Sequence, residues 1–288
     1  MLEKTPLFAE SWNVAWRQCP TGSIIDNKET PFNIIKNSVR YWAADPFLFS
    51  YDGETYIFAE LYDYVSRKGI IGCCKWDGKR FGRWKAIIRE PYHLSYPFIF
   101  EHKGSVYIMP ESGADGSLYL YRATAFPLRW EKLPPIRKGV VYGDTTLFCH
   151  DNRAFAVTYD VENPRQPNLV LLDIEKSEND CKLDFEDVDL RRPAGKYFIC
   201  NGEEFRPAQN CREDYGKSIL FYRYSFENRA YSEECVGEVF PQELLYSKKV
   251  FLDGMHTYNS DRKFEVIDIK TRRFNLLNLF SRIIGKMR

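Results

Sequence analysis

The sequence predicts an all-β protein: a single five-bladed β-propeller with a short amphipathic helix at its C-terminal end. Three observations carry this. A short pattern recurs four times, at Asp45-Pro46-Phe47-Leu48-Phe49, Tyr96-Pro97-Phe98-Ile99-Phe100, Asp144-Thr145-Thr146-Leu147-Phe148 and Ala194-Gly195-Lys196-Tyr197-Phe198. Its first members lie 51, 48 and 50 residues apart (45 to 96, 96 to 144, 144 to 194). A second apolar run after each keeps the same spacing and ends at Glu60, Glu111, Tyr159 and Gln209. Aromatic residues are 16% of the chain, with 19 Tyr and 21 Phe, which suits strand faces that pack between blades. A period near fifty built from paired short strands is the mark of a propeller.

Each element follows from local chemistry. The two apolar runs of a unit are separated by turn residues, Asp52-Gly53, Lys103-Gly104, Asp151-Asn152 and Asn201-Gly202, so each unit opens with a hairpin. Third strands are predicted at Gly69–Cys74, Leu118–Tyr121, Leu169–Leu172 and Ile219–Tyr224, where β-branched and aromatic residues cluster. A fifth unit is expected from His256-Thr257-Tyr258-Asn259 and Phe264-Glu265-Val266-Ile267. A strand near Asn13-Val14-Ala15-Trp16 would close the ring against it. The propeller is thus assigned to 10–270, with no boundary inside the ring, and a basic amphipathic tail to 271–288.

Composition narrows the function classes. The net charge of +1 gives no bulk attraction for nucleic acid. No apolar run of about eighteen residues is present to span a bilayer. Met1-Leu2-Glu3-Lys4-Thr5-Pro6 has no signal-peptide core, so a cytoplasmic location is expected, with reduced and mostly buried thiols at the eight cysteines. No Cys/His cluster has zinc-ligand spacing.

Repeat-equivalent residues of different blades converge on the channel. One ring is Asp45, Tyr96, Asp144, Ala194 and His256; the other is Glu60, Glu111, Tyr159 and Gln209. Several carboxylates held together among apolar neighbours acquire different pKa values, the requirement of acid–base chemistry on a glycosidic carbon. The alternative is that each acid caps a turn or ends a strand. Trp42-Ala43-Ala44-Asp45-Pro46-Phe47 places Asp45 among bulky apolar residues, where an unpaired acid is costly.

Ala44-Asp45-Pro46 resembles the first-blade motif of the five-bladed furanosidase superfamily, the arabinanase and xylosidase type. That resemblance implies Asp45 as general base and Asp144 as the orienting acid. The fourth blade, where that family carries its general acid, has Ala194 and Gln209 here. Across nearly the whole chain, Trp42–Phe47, Ser95–Phe98, Pro110-Glu111-Ser112, Arg192–Gly195 and Arg206–Gln209 resemble the N-terminal propeller of the plant glucosamine inositolphosphorylceramide transferases, whose bacterial relatives serve polysaccharide assembly. The chain is also similar to propeller transferases that add ribofuranose 5-phosphate from phosphoribosyl pyrophosphate.

Arg192 and Arg206, each followed by Pro-Ala, are candidates for gripping an anionic sugar donor. Otherwise they neutralise Glu60, Glu111 or Asp144. A diphosphate leaving group needs little protonation, so one base would suffice; no cofactor is assigned, and a divalent cation accompanying the phosphorylated donor is the one candidate, with no ligand set in the sequence that demands it. Glu60, Tyr96, Tyr159, Gln209, His256 and Asn259 complete the expected substrate-binding set. In the tail, Phe274, Leu277, Phe280, Ile284 and Met287 recur at helical spacing among Arg272, Arg273, Arg282, Lys286 and Arg288. Such a helix suits an anionic membrane surface and a lipid-linked acceptor, or packs on protein. The expected activity is inverting transfer of a furanosyl group, ribofuranosyl 5-phosphate from phosphoribosyl pyrophosphate, to a glycan or lipid-linked acceptor. The alternatives are an inverting furanosidase with Asp45 as base and Glu111 as acid, and a glycan-binding propeller without catalysis.

Overall fold

The computed structural model describes residues 8–19, 23–250 and 252–274. Five antiparallel sheets form the blades. The first blade runs from the channel outward as Tyr41–Tyr51, Glu54–Asp63, Lys68–Lys75 and Lys85–Ile88. The second uses Ser95–His102, Ser105–Glu111, Tyr121–Ala125 and Arg129–Lys132; the third uses Tyr142–His150, Arg153–Asp160, Asn168–Asp173 and Cys181–Leu183. The fourth has Arg192–Pro193 and Phe198–Cys200 on its inner edge, then Glu203–Asn210, Ser218–Glu227 and Ala230–Val239. The fifth is Tyr258–Ser260, Phe264–Phe274, Phe8–Gln18 and Asn33–Ile34. The N-terminal strand closes the ring by pairing along its whole length with the last strand, Phe8 opposite Phe274 through Gln18 opposite Phe264.

Three local departures from expectation have plain causes. In the second blade the apolar run 118–121 divides: Ser117–Leu118 pairs with Arg137–Lys138, and the blade's third strand begins at Tyr121. In the fourth blade the inner strand breaks over Ala194–Tyr197. Gly195 has φ 145 and lies so near the fifth blade that a Cβ would come 1.9 Å from the Tyr258 carbonyl oxygen. Thr271–Phe274, expected in the tail, continue the last strand, and 275–288 lie outside the described residues.

Aromatic and aliphatic side chains between blades form the core. Phe47, Phe58, Tyr96, Phe98 and Ile108 pack between the first two blades. Phe148, Phe155, Tyr159 and Phe226 join the third and fourth. All eight cysteines are free, but only Cys73, Cys74 and Cys200 are buried, while Cys149, Cys181 and Cys235 are exposed.

Candidate active site

The repeat has a backbone cause. In the first three blades the inner strand is bulged at the repeat's first member. Pairing passes from Ala44–Glu60 to Phe47–Phe58, from Ser95–Glu111 to Phe98–Met109, and from Gly143–Tyr159 to Thr146–Val157. Asp45, Tyr96 and Asp144 there adopt left-handed φ values of 50, 45 and 50. A bulge takes its residue out of the strand ladder, and the freed N–H needs another acceptor. A carboxylate supplies it each time. Asp45 N–H donates to Asp268 Oδ2 (3.0 Å), Tyr96 N–H to Asp45 Oδ2 (3.0 Å) and Asp144 N–H to Glu111 Oε2 (3.2 Å). Each of these acids belongs to the preceding blade of the ring.

Asp268 is the residue the sequence reading missed. It accepts from the backbone N–H of His256 (2.9 Å), Thr257 (3.0 Å) and Asp45, and pairs with His256 Nδ1 at 2.6 Å. The four earlier units place the second ring member 15 residues after the first (60 − 45, 111 − 96, 159 − 144, 209 − 194), whereas the fifth hairpin closes in 12 (268 − 256). That shortening hid it.

Asp45 sits at the centre of the site. Besides Tyr96 N–H, it accepts from Thr257 Oγ1 (3.0 Å) and lies 3.5 Å from His256 Nδ1. Burial raises its pKa to about 6, outweighing the neighbouring imidazole, and Asp144 and Asp268 raise it further. The His256 ring stacks on Trp12 (centroids 3.9 Å apart). Burial alone would lower its pKa, but Asp268 and Asp45 prevail and raise it. Asp45, His256 and Asp268 hold their ligand atoms within 4.8 Å of one another, a candidate cation set. Their donors are already committed, however. Nδ1 is engaged by Asp268, and the Asp268 oxygens carry three backbone N–H groups besides. The set fits a cation only by surrendering bonds that hold the ring, so no step is assigned to one.

Arg192 bridges the other two acids. Its Nε donates to Asp144 Oδ2, and its Nη2 is 3.6 Å from Glu111 Oε2. Its guanidinium lies 5.1 Å from the Tyr159 ring and 5.2 Å from the Tyr215 ring. Burial lifts the Asp144 pKa to about 6 against the pull of Arg192, and raises that of Glu111. The Glu111 side chain is 25% exposed and that of Arg192 16%, so both reach the mouth.

Glu60 differs. Its Oε1 is buried without a hydrogen-bond partner, 3.5 Å from His93 Nε2. Burial first, then the surrounding acids, drive its pKa well above the usual range. Gly69 lets the strand pass: a Cβ there would come 2.4 Å from Glu60 Oε1 and 2.3 Å from the Leu94 carbonyl.

The other polar residues around the channel are committed to structural contacts. Arg206 is fully buried on the face opposite Gln209, because residues three apart on a strand point to opposite sides. It forks onto Glu233, with Nη2 2.8 Å from Oε2, and donates to the Arg191 carbonyl (3.1 Å). It is a structural ion pair and cannot grip a donor. Gln209 holds Asp144 and the Pro193 carbonyl, both at 2.9 Å. Tyr96 is buried, its hydroxyl 2.7 Å from Thr146 Oγ1. Asn259 ties blades together, donating to the Pro46 carbonyl and accepting from Lys196 N–H, both at 2.7 Å. Tyr159 donates to Asp189 (2.9 Å) beneath Arg192. Lys196 reaches the Leu48 carbonyl (3.3 Å) between the Phe49 and Phe98 rings; burial lowers its pKa to about 8. Arg212 and Lys217 pair with Asp187 and Glu213 on the surface.

Tyr215, also missed, stands 41% exposed at the mouth. Its ring meets His256 (5.1 Å) and Trp12 (6.2 Å) edge-on. Buried Lys270 anchors its loop through Asp214 (2.9 Å) and the Tyr215 carbonyl (3.2 Å). No periodic signal marks a loop residue of this kind.

The raised carboxylates make a stability prediction. With Asp45 near pKa 6 in the fold, against an ordinary 3.8, the native protein holds a proton that the unfolded chain has released between these values. The resulting stabilisation is present below about pH 4 and lost as pH rises through about 6. Asp45→Asn is therefore expected to be more stable than the parent at pH 7.5, by on the order of 2 kcal/mol. The gain should vanish by about pH 4. Urea unfolding at the two pH values checks this.

Comparison with known proteins places the geometry in context. A family model described as "Glucosamine inositolphosphorylceramide transferase 1, N-terminal" matches residues 33–264. Glucosamine inositolphosphorylceramide transferase 1 of Arabidopsis thaliana is 29% identical over 247 residues, covering 80% of this chain and 31% of that protein. The Oryza sativa subsp. indica protein of the same name is 31% identical over 195 residues, covering 63% and 26%. The chain therefore spans about a third or less of these relatives' length. Among solved structures, the catalytic domain of the Coprinopsis cinerea GH62 α-L-arabinofuranosidase aligns over 90% of this chain and 98% of its own, with a TM-score of 0.60 at 9% identity. The Bombyx mori GH32 β-fructofuranosidase BmSUC1 aligns over 91% and 57%, with a TM-score of 0.54 at 13% identity. These structures share the fold.

Proposed function

Because the chain belongs to the family defined by the N-terminal region of glucosamine inositolphosphorylceramide transferase 1, we propose that it is a glycosyltransferase of surface glycan or glycolipid assembly, with Asp45 as its base. The observation that carries this is Asp45 itself, a buried carboxylate held in a left-handed backbone with its pKa near 6. A base titrating close to working pH is ionised and still able to take a proton. The acceptor hydroxyl oxygen attacks the anomeric carbon, its proton passes to Asp45, and the bond to the departing phosphate breaks with its electron pair on the phosphate oxygen. His256 and Asp268 hold Asp45 in place. The donor is proposed to be a furanosyl phosphate, phosphoribosyl pyrophosphate, with Arg192 the guanidinium that meets the leaving group; any divalent cation would arrive with the diphosphate. The acceptor is a glycan or lipid-linked hydroxyl, reached from the inner face of a membrane.

Thermal shifts with phosphoribosyl pyrophosphate, nucleotide sugars and simple furanosides test the donor. A ligand at about 100 times its Kd adds roughly 2.7 kcal/mol to the folded state. A shift with phosphoribosyl pyrophosphate that disappears in Arg192→Lys, which keeps the charge and loses the fork, supports the donor. A shift with free furanosides alone overturns it.

Tyr215 offers an exposed ring to a sugar face. Tyr215→Ala is expected to raise the acceptor KM about tenfold, as loss of a stacking contact of about 1–1.5 kcal/mol would, with little change in kcat. Initial-rate kinetics at varied acceptor check this.

A second reading, an inverting hydrolase, is favoured by Glu111, which combines a raised pKa with access to the mouth and could serve as acid opposite Asp45. Turnover with water as sole acceptor and no phosphorylated donor would select it. Binding of glycans without any turnover would select a binding module.

A further inference from the structure

We propose that the mouth face of the propeller docks on an anionic lipid bilayer through the rim of the first blade. Two loops meet there, 36–41 before the blade's inner strand and 63–68 after its second, joined by the Tyr64 N–H to Arg40 carbonyl bond (3.1 Å). Val39 and Val65 stand at their tips, 68% and 58% exposed. A hydrophobic residue at a protruding tip gains nothing in water and gains burial in a headgroup layer.

Around the two valines the charge is of one sign. Lys36, Arg40, Arg67 and Arg89 are exposed, and Lys68 is half-buried with its amine on the Pro91 carbonyl (2.7 Å). Arg40 is paired with Asp63, whose carboxylate is buried. Among the described residues, Lys36, Arg67 and Arg89 have no carboxylate within ion-pair distance. A chain with a net charge of +1 has thus gathered five cations on one rim. The loop before the inner strand of the fourth blade instead holds Asp184, Glu186, Asp187 and Asp189, of which Asp187 is paired with Arg212. That asymmetry orients the molecule, first blade toward the lipid.

The path of the chain agrees. The closing strands run past Trp12 and Lys270, at the mouth, to Phe8 and Phe274. The Phe8 and Phe274 ends of this strand pair therefore lie toward the mouth face. The docking face is also the face on which Tyr215 is exposed, beside the His256 that neighbours buried Asp45. An acceptor carried by lipid would meet the channel without leaving the bilayer. The docking stands independently of whether Asp45 catalyses transfer.

Co-sedimentation of the full chain with phosphatidylcholine vesicles, with and without about 30% phosphatidylserine, tests the proposal. The protein should sediment with the anionic vesicles only, and less as salt rises. One cation near the surface is worth about fivefold in binding, so Lys36→Glu/Arg67→Glu should lose at least tenfold. Val39→Asp/Val65→Asp should lose binding comparably. Leu128→Asp, half exposed at a turn on the opposite face, is the control and should bind as the parent does. Equal melting temperatures establish that the exposed-loop variants are folded. Parent-level binding by both double variants would place the attachment elsewhere in the chain and overturn the proposal, as would failure of the parent to bind.

Discussion

Asp45→Asn is expected to lower the rate of glycosyl transfer by about 10²–10⁴-fold, the usual worth of a positioned general base. The substitution removes the charge and the proton-accepting function while asparagine preserves the hydrogen bonds that Asp45 makes. Residue 45 has φ 50, and asparagine tolerates that region at least as well as aspartate. The amide oxygen can still accept from Tyr96 N–H, and the amide nitrogen can face the Thr257 hydroxyl, which turns to accept. His256 keeps its bond to Asp268. The variant should therefore fold, gain stability at neutral pH and lose turnover together. Asp45→Ala should behave differently. It leaves the buried Tyr96 N–H without an acceptor and puts a Cβ-bearing residue with no polar group in a left-handed turn, so stability falls along with activity. Full turnover in Asp45→Asn would remove Asp45 as base. A loss in kcat with donor affinity unchanged would place it in the chemical step.

The largest stability effect is expected at Arg206. Arg206→Ala should destabilise the protein by about 3–5 kcal/mol, because it strands the Glu233 carboxylate in the interior. The Glu233 side chain is fully buried and receives Arg206, Arg191 Nη1 (3.0 Å) and the Tyr231 hydroxyl (2.6 Å). With Arg206 gone, Arg191 and Tyr231 remain, but the two N–H groups of the fork are lost. For a chain of this length the melting temperature should drop by roughly 10 °C. Removing both charges, as in Arg206→Met with Glu233→Leu, should recover much of that loss, since burying an ion pair is itself expensive. A thermal-denaturation cycle over the two single variants and the double variant measures the coupling. A stable Arg206→Ala that lost only donor binding would instead restore this arginine to the site.

The fold was legible because its signals are local and repeated. A hairpin is specified by alternating apolar residues and a turn pair, and four hairpins in register at 48–51 residues leave one closed arrangement. The register of Asp45, Tyr96 and Asp144 was visible for the same reason, although its cause, a bulged strand with left-handed backbone, lies in geometry that composition does not encode. Asp268 escaped because the fifth hairpin is three residues shorter than the others. Arg192 and Arg206 looked equivalent in sequence, each followed by Pro-Ala. Strand alternation sends one beside Asp144 and the other between blades, onto Glu233.

From the sequence alone come the number of blades, the closing strand, and the set of acids brought to the channel, because apolar spacing and turn residues act over a few positions of chain. Only the tertiary structure decided which charges are spent on each other. Asp268 is consumed by backbone N–H groups and His256, and Arg206 by Glu233, while Arg192 bridges Asp144 and Glu111 yet reaches the mouth, and Asp45 and Glu60 keep raised pKa values. The physical reason is range. Electrostatic pairing and desolvation depend on distances of a few ångströms between residues as far apart as Asp45 and Asp268, and no local pattern in the chain records them.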